Sequence, residues 1–128
     1  MPESKQVIVM RKDLGMRKGK MIAQGAHASM KVLVDAGKLD RETLAIALDP
    51  ATREWLVSGR FTKVCVSVNS EAELDAIVAN ARSAGVPCAL IVDSGRTEFH
   101  GVPTKTCCAV GPAWADAVDA ITGALPLL

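Results

Sequence analysis

Lys20, Gln24, His27 and Lys31 recur at spacings of three and four residues. On a helix that turns ~100° per residue they fall on one narrow stripe. An ammonium there could hold an anion or stabilise a developing oxyanion, and a carboxamide could position a carbonyl. His27 by itself reads as a hydrogen-bonded structural histidine. The rest of the circumference is apolar or small: Met21, Ile22, Ala23, Gly25, Ala26, Ala28, Met30, Val32, Leu33 and Val34. That composition predicts a mostly buried helix, whose polar stripe must face water, a partner or a site.

The run Asp93-Ser94-Gly95-Arg96-Thr97-Glu98 is a second dense cluster. Asp93 follows an apolar run directly, so it should end a strand. Its carboxylate either caps the Ser94-Gly95 turn or positions a water or a donor. Arg96 has two readings, pairing with Glu98 or contact with a phosphate. Charge is also uneven. Residues 1–20 hold six basic residues (Lys5, Arg11, Lys12, Arg17, Lys18, Lys20) against two acids, a local +4, while the remainder carries −3. Such a loop beside a helix start suits an anionic ligand.

Other chemistries find little support. There is no GxSxG elbow and no Walker-type glycine loop. Cys65, Cys88, Cys107 and Cys108 form no CxxC pair and are expected as buried free thiols. His27 and His100 are the only histidines, so a metal site is not indicated. The aromatic residues are Trp55, Phe61, Phe99 and Trp114, so base stacking should be a minor theme and phosphate contacts should dominate any nucleic-acid binding.

The elements that must position these residues follow from periodicity and turn signals. A chain of 128 residues, 49% of them hydrophobic, fits one domain, residues 1–128, with a real core. No stretch approaches the ~20 apolar residues of a membrane span. No secretory signal is evident, so a cytoplasmic location is expected. Strands are predicted at residues 6–10, 62–68, 88–92 and 106–110. Helices are predicted at about 19–36, weakly at 41–48, at 50–55, and at 70–84, where Ser70 and Glu73 have capping-box spacing. Gly111-Pro112 should open a last helix that fades near Gly123. Strand–helix–strand alternation predicts a three-layer α/β/α fold. Its four-stranded mixed sheet would have three strands parallel and the last antiparallel. Ligands in such sheets bind beyond the carboxyl ends of the strands. The basic loop, the first helix start, Asp93, Thr97 and Thr106 should therefore share one rim.

Residues 6–16 (QVIVMRKDLGM), 18–28 (KGKMIAQGAHA) and 93–98 (DSGRTE), followed by Thr104-Lys105-Thr106 and Val110-Gly111-Pro112, resemble the archaeal/eukaryotic-type peptidyl-tRNA hydrolase family. The resemblance spans about residues 6–123. Arg17 departs from it, standing where a small residue is common. So does His100-Gly101-Val102-Pro103-Thr104, one residue longer than usual. The resemblance implies hydrolysis of the ester between a peptide and the 3′-terminal ribose of tRNA, with neither metal nor organic cofactor, and often a homodimer. It implies that Lys20, Gln24, Asp93, Thr97 and Thr106 do the chemistry. Lys20 would stabilise the oxyanion or the terminal phosphate. Asp93 would orient water or hold Lys20, the threonines would supply hydroxyls, and Gln24 would position the carbonyl. Arg11, Lys12, Arg17, Lys18, His27 and Arg96 would contact the substrate, and the basic loop would grip acceptor-stem phosphates. A non-catalytic RNA- or protein-binding relative and an aminoacyl-tRNA deacylase are the alternatives.

Overall fold

A computed structural model describes residues 2–96 and 98–128. The elements in chain order are β1 (Ser4–Arg11), α1 (Lys18–Ala36), β2 (Lys38–Asp40), β3 (Thr43–Ala45), α2 (Pro50–Arg53) with one π-type turn (Glu54–Ser58), β4 (Lys63–Val68), α3 (Glu71–Ser83), β5 (Cys88–Asp93), β6 (Thr104–Trp114) and α4 (Ala115–Thr122). The main sheet has the order β4-β1-β6-β5. Both faces of the central strands are covered, which suits the apolar, β-branched run of β1 and the small, apolar run of β6 with its two cysteines. Val7 and Val9 of β1 pack with Leu74, Ile77, Val78 and Val118 of α3 and α4. Ile8 and Met10 turn the other way, toward Ala28 and Val32 of α1.

The expectation of three parallel strands is overturned. β1 and β4 form the parallel pair, while β6 pairs antiparallel with both β1 and β5. The ten residues between Asp93 and Thr104 return the chain as a hairpin, and β6 then inserts between β1 and β5. Gly111-Pro112 opens no helix. It lies inside β6, where the register against β1 shifts between Lys5 and Val7. Gly111 has φ +94°, and a Cβ there would stand 2.5 Å from the Lys5 carbonyl oxygen, so the bulge requires glycine.

Residues 41–48 hold no helix either. β2 and β3 form a hairpin there through Arg41-Glu42, with Leu39 opposite Leu44. A Cβ on Gly37 would meet the Leu44 side chain at 2.7 Å, so this glycine lets the hairpin fold back on the end of α1. The 70–84 helix stands as expected. The Ser70 hydroxyl accepts from the Glu73 N–H at 3.0 Å, and Gly85 at φ +71° ends the segment.

α1 is less buried than its composition predicts. Only Gln24, Gly25, Ala28 and Val32 are buried, whereas Ile22, Met30 and Val34 are exposed. α3 and α4 lie on the opposite face, and among the described residues no element covers the flank of α1 that carries Ile22, Met30 and Val34. An apolar groove of about 570 Å³ opens there, lined by Ile8, Met10, Met21, Ile22, Met30 and Leu128. Of the cysteines, Cys107 and Cys108 are buried as expected, but Cys65, on the edge strand β4, is exposed.

Candidate active site

The antiparallel return of β6 brings three chain segments to one rim. Thr104 at the start of β6 pairs with Asp93 at the end of β5, and Met10 near the end of β1 pairs with Cys107. α1 begins over this rim at Lys18. Lys20 lies in its first turn and Gln24 one turn later, on the side facing β5 and β6. The Lys20 ammonium donates to Asp93 Oδ1 at 2.9 Å. The Gln24 amide nitrogen donates to the same oxygen at 3.3 Å. Asp93 Oδ2 accepts the Gly95 N–H at 2.9 Å. Three donors thus converge on one carboxylate. They hold it below the usual aspartate value of 3.8, foremost through the Lys20 hydrogen bond and against the opposing effect of burial. Asp93 is therefore ionised at neutral pH.

Behind this pair the arrangement is buried. Thr106 is fully buried, and its hydroxyl donates to Gln24 Oε1 at 2.6 Å. That bond fixes the carboxamide so that its nitrogen faces Asp93. The Cys107 thiol donates to the Gln24 carbonyl oxygen at 3.3 Å, pinning the helix backbone at the same level. Burial pushes this thiol up to about 11, so it is no thiolate nucleophile near neutrality. A second polar tie lies further along α1, where Gln6, itself buried, exchanges hydrogen bonds with Ser29. Among the described residues no three His, Cys, Asp or Glu side chains gather in a metal-binding group.

The structure thus brings Lys20, Gln24, Asp93 and Thr106 together. Thr97 lies outside the described residues. The other six named from sequence stand apart. Arg11 is committed, with a bidentate pair to Asp13 (3.1 and 2.7 Å) and a bond to the Lys105 carbonyl at 3.1 Å. Lys12, Lys18 and Arg96 are exposed. Arg17 is exposed and 3.9 Å from Glu98. His27 is exposed on α1, beside a shallow groove shared with Lys31 and Ile91. The start of α1 carries no acidic residue in its first turn, and its N-cap is Arg17, whose side chain makes no capping bond. The rim is therefore cationic and accessible, with Lys12, Arg17 and Lys18 around it.

Two contributors escaped the sequence reading. Gly95 supplies a backbone N–H to Asp93, and the glycine was legible there only as a turn signal. Phe99 packs against the α1-face core with its ring centroid 5.7 Å from the Lys20 ammonium. Its sole signal was being the one aromatic residue close to the second motif.

The family described as "Peptidyl-tRNA hydrolase PTH2" matches residues 4–128. A peptidyl-tRNA hydrolase of Methanocaldococcus jannaschii is 45% identical over 97% of this chain and 99% of its own length. Those of Halobacterium salinarum R1 (44%; 96% and 98%) and Metallosphaera sedula (40%; 97% and 99%) are similar. Among solved structures, a protein of unknown function from Agrobacterium tumefaciens C58 superposes with a TM-score of 0.60 at 11% identity, covering 100% of this chain and 99% of that one. That likeness speaks for the fold alone.

Proposed function

The chain belongs to the peptidyl-tRNA hydrolase PTH2 family, and from that premise we propose that the Lys20–Asp93–Gln24–Thr106 cluster is where it hydrolyses the ester joining a peptide to the 3′-terminal ribose of tRNA. The observation that carries this reading is the Lys20–Asp93 contact at the cationic rim. Water oxygen attacks the acyl carbon, the bond from that carbon to the ribose oxygen breaks, and a peptide acid and a free ribose hydroxyl result. Lys20 supplies positive charge where the carbonyl oxygen becomes an oxyanion. Asp93, ionised, fixes Lys20 and offers an acceptor to the attacking water. Gln24 helps hold Asp93 at its inner side. Thr106, buried behind Gln24, acts as a positioning residue rather than as a partner of the ester, and Thr97 keeps the role that the resemblance implies, a hydroxyl offered to the ester or to the attacking water.

Peptidyl-tRNA is the partner in this reading. Lys12, Arg17 and Lys18 meet its backbone phosphates, with Arg96 and His27 further out, whereas Arg11 serves to fasten β1 to β6. A cytoplasmic location is part of the proposal, because peptidyl-tRNA is a product of translation; among the described residues no helix is long and apolar enough to cross a membrane. A homodimer is included in the proposal, because the uncovered flank of α1, with Ile22, Met30 and Val34, is an apolar surface suited to a second copy. Light scattering coupled to size exclusion, on the parent and on Met30→Lys, tests that part.

The activity is tested by offering the protein an N-blocked peptidyl-tRNA and a free aminoacyl-tRNA. Release of tRNA from the first and not the second is expected. Preference for the free aminoacyl ester would make it a deacylase, and turnover of neither would leave a binding protein.

A further inference from the structure

Chain topology distributes the four aromatic residues unequally. Trp114 pairs with Ser4 at the start of β1. Phe61 precedes Lys63, which is in register with Gln6, and its ring packs on Trp55 with centroids 4.6 Å apart. Those three rings therefore gather at the start of β1. The candidate site lies at its other end, about 23 Å away for seven strand steps. Phe99 alone stands at the catalytic rim. Its side chain is half-buried and packs against the α1-face core. The Lys20 ammonium lies over this ring, 5.7 Å from its centroid, at the outer limit of a cation–π contact, so the ring and the cation face the same space.

We propose that the Phe99 ring is the platform on which the 3′-terminal base of the tRNA stacks. This rests on the proposed function. If the ester is cut between Lys20 and Asp93, the ribose that carries it must lie there, and the terminal base hangs from that same ribose. The base is thus confined to one sugar width from Lys20, and Phe99 offers the aromatic surface within that reach. Stacking asks for nothing but a π-face, and it is the usual way single-stranded ends are held. The loop carrying Phe99 is built to keep the ring there. The Gly101 N–H donates to the Gly95 carbonyl at 2.8 Å and the Val102 N–H to the Phe99 carbonyl at 2.9 Å, which closes the segment on itself. Glu98 of the same loop lies 3.9 Å from the exposed Arg17 at the start of α1, a loose contact. The base would be oriented by Phe99 and the phosphates by the basic loop, so the ester is delivered to Lys20 from two sides.

The test is a cycle of two substrates and two proteins. The substrates are an N-acetyl-aminoacyl minihelix ending in adenosine and the same minihelix ending in an abasic ribose. The proteins are the parent and Phe99→Leu. The parent should lose between about 5- and 100-fold in KM on the abasic substrate, the range that one base stack provides. Phe99→Leu should show that loss already on the adenosine substrate and none further on the abasic one, and Phe99→Tyr should restore discrimination. Equal KM values for the parent on both substrates overturn the proposal. So do losses that multiply in Phe99→Leu, and so does a variant changed only in kcat, which would make the ring a support for Lys20. Equal parent values overturn the proposal even if Phe99→Leu fails to fold, and the comparison of Phe99→Tyr with the parent on both substrates then carries the assignment to the ring. A parent that cleaves neither substrate refutes the function itself, a result distinct from all of these.

Discussion

Lys20 and Asp93 are 73 residues apart in sequence and 2.9 Å apart in space, each side chain less than 15% exposed. A lysine held this way is pre-aimed, so it need not reorganise when charge develops on the substrate. Lys20→Ala should therefore cost on the order of 100-fold or more in kcat on peptidyl-tRNA. Asp93→Asn leaves Lys20 without its charged partner and should fall comparably, while circular dichroism and Tm show both variants folded. Activity within a few-fold of the parent in either would remove that residue from the mechanism.

The same pair sets a pH dependence. Asp93 is held below 3.8, chiefly by the Lys20 hydrogen bond, with the Gly95 N–H adding to it. A carboxylate whose folded value is depressed stabilises the fold fully above its unfolded value, and that contribution is lost as pH falls through the folded one. The acid limb of the rate profile should lie below 3.8. In Lys20→Met the Asp93 titration should move upward, toward its ordinary value. Carbon-detected NMR titration of the side-chain carboxyl in both proteins reads this directly, and an unmoved midpoint would separate the two groups energetically.

Thr106 and Gln24 make a stricter prediction, because one hydroxyl fixes one amide. Thr106→Val keeps the shape but leaves Gln24 Oε1 without its buried donor, at a cost of about 1–3 kcal/mol. The free carboxamide can then rotate its oxygen toward Asp93. We expect a lower Tm and a lower kcat with KM little changed, and recovery of both in Thr106→Ser. A Thr106→Val protein with parental kcat would restrict Thr106 to stability.

How much of this was legible depended on whether a signal was local. Asp93 reads as a strand end from its own neighbours, and the stripe of Lys20 and Gln24 reads from helical spacing. Their meeting followed from the rule about strand ends even though the strand pairing was misjudged. β5 still points the same way as β1, because both oppose β6. The order β4-β1-β6-β5 was not legible, since which strand β6 pairs with is decided by long-range burial. Gly111-Pro112 misled because a bulge and a helix start use the same two residues. The exposure of Ile22 and Met30 was hidden for a similar reason: composition says a face is apolar, but not whether anything covers it.

The basic rim separates two kinds of cation. Arg11 is occupied by Asp13 and the Lys105 carbonyl, while Lys12 and Lys18 are exposed. Each phosphate contact removed should lower the slope of log affinity against log salt by about 1. Lys12→Ala and Lys18→Ala should do this with unchanged Tm. Arg11→Ala should leave the slope near the parent's and cost about 1 kcal/mol of stability. Filter binding of peptidyl-tRNA across a salt series, beside thermal melts, distinguishes the two. A reduced slope in Arg11→Ala would mean that its bond to Asp13 opens on binding.

Gly95 joins the loop to the chemistry. Its φ is +84°, and a Cβ would stand 2.4 Å from the Val102 carbonyl oxygen, a backbone atom with little freedom to retreat. Its N–H also holds Asp93 Oδ2. Gly95→Ala therefore pays twice: about 1–2 kcal/mol of left-handed strain, and displacement of a segment whose N–H orients the carboxylate and which carries Phe99. Tm should fall. Peptidyl-tRNA turnover should fall by more than stability explains, because Asp93 loses an orienting donor even in molecules that remain folded. Measuring kcat well below the melting transition isolates that second effect. Parental kcat there would show that Lys20 and Gln24 suffice to hold Asp93 without the loop.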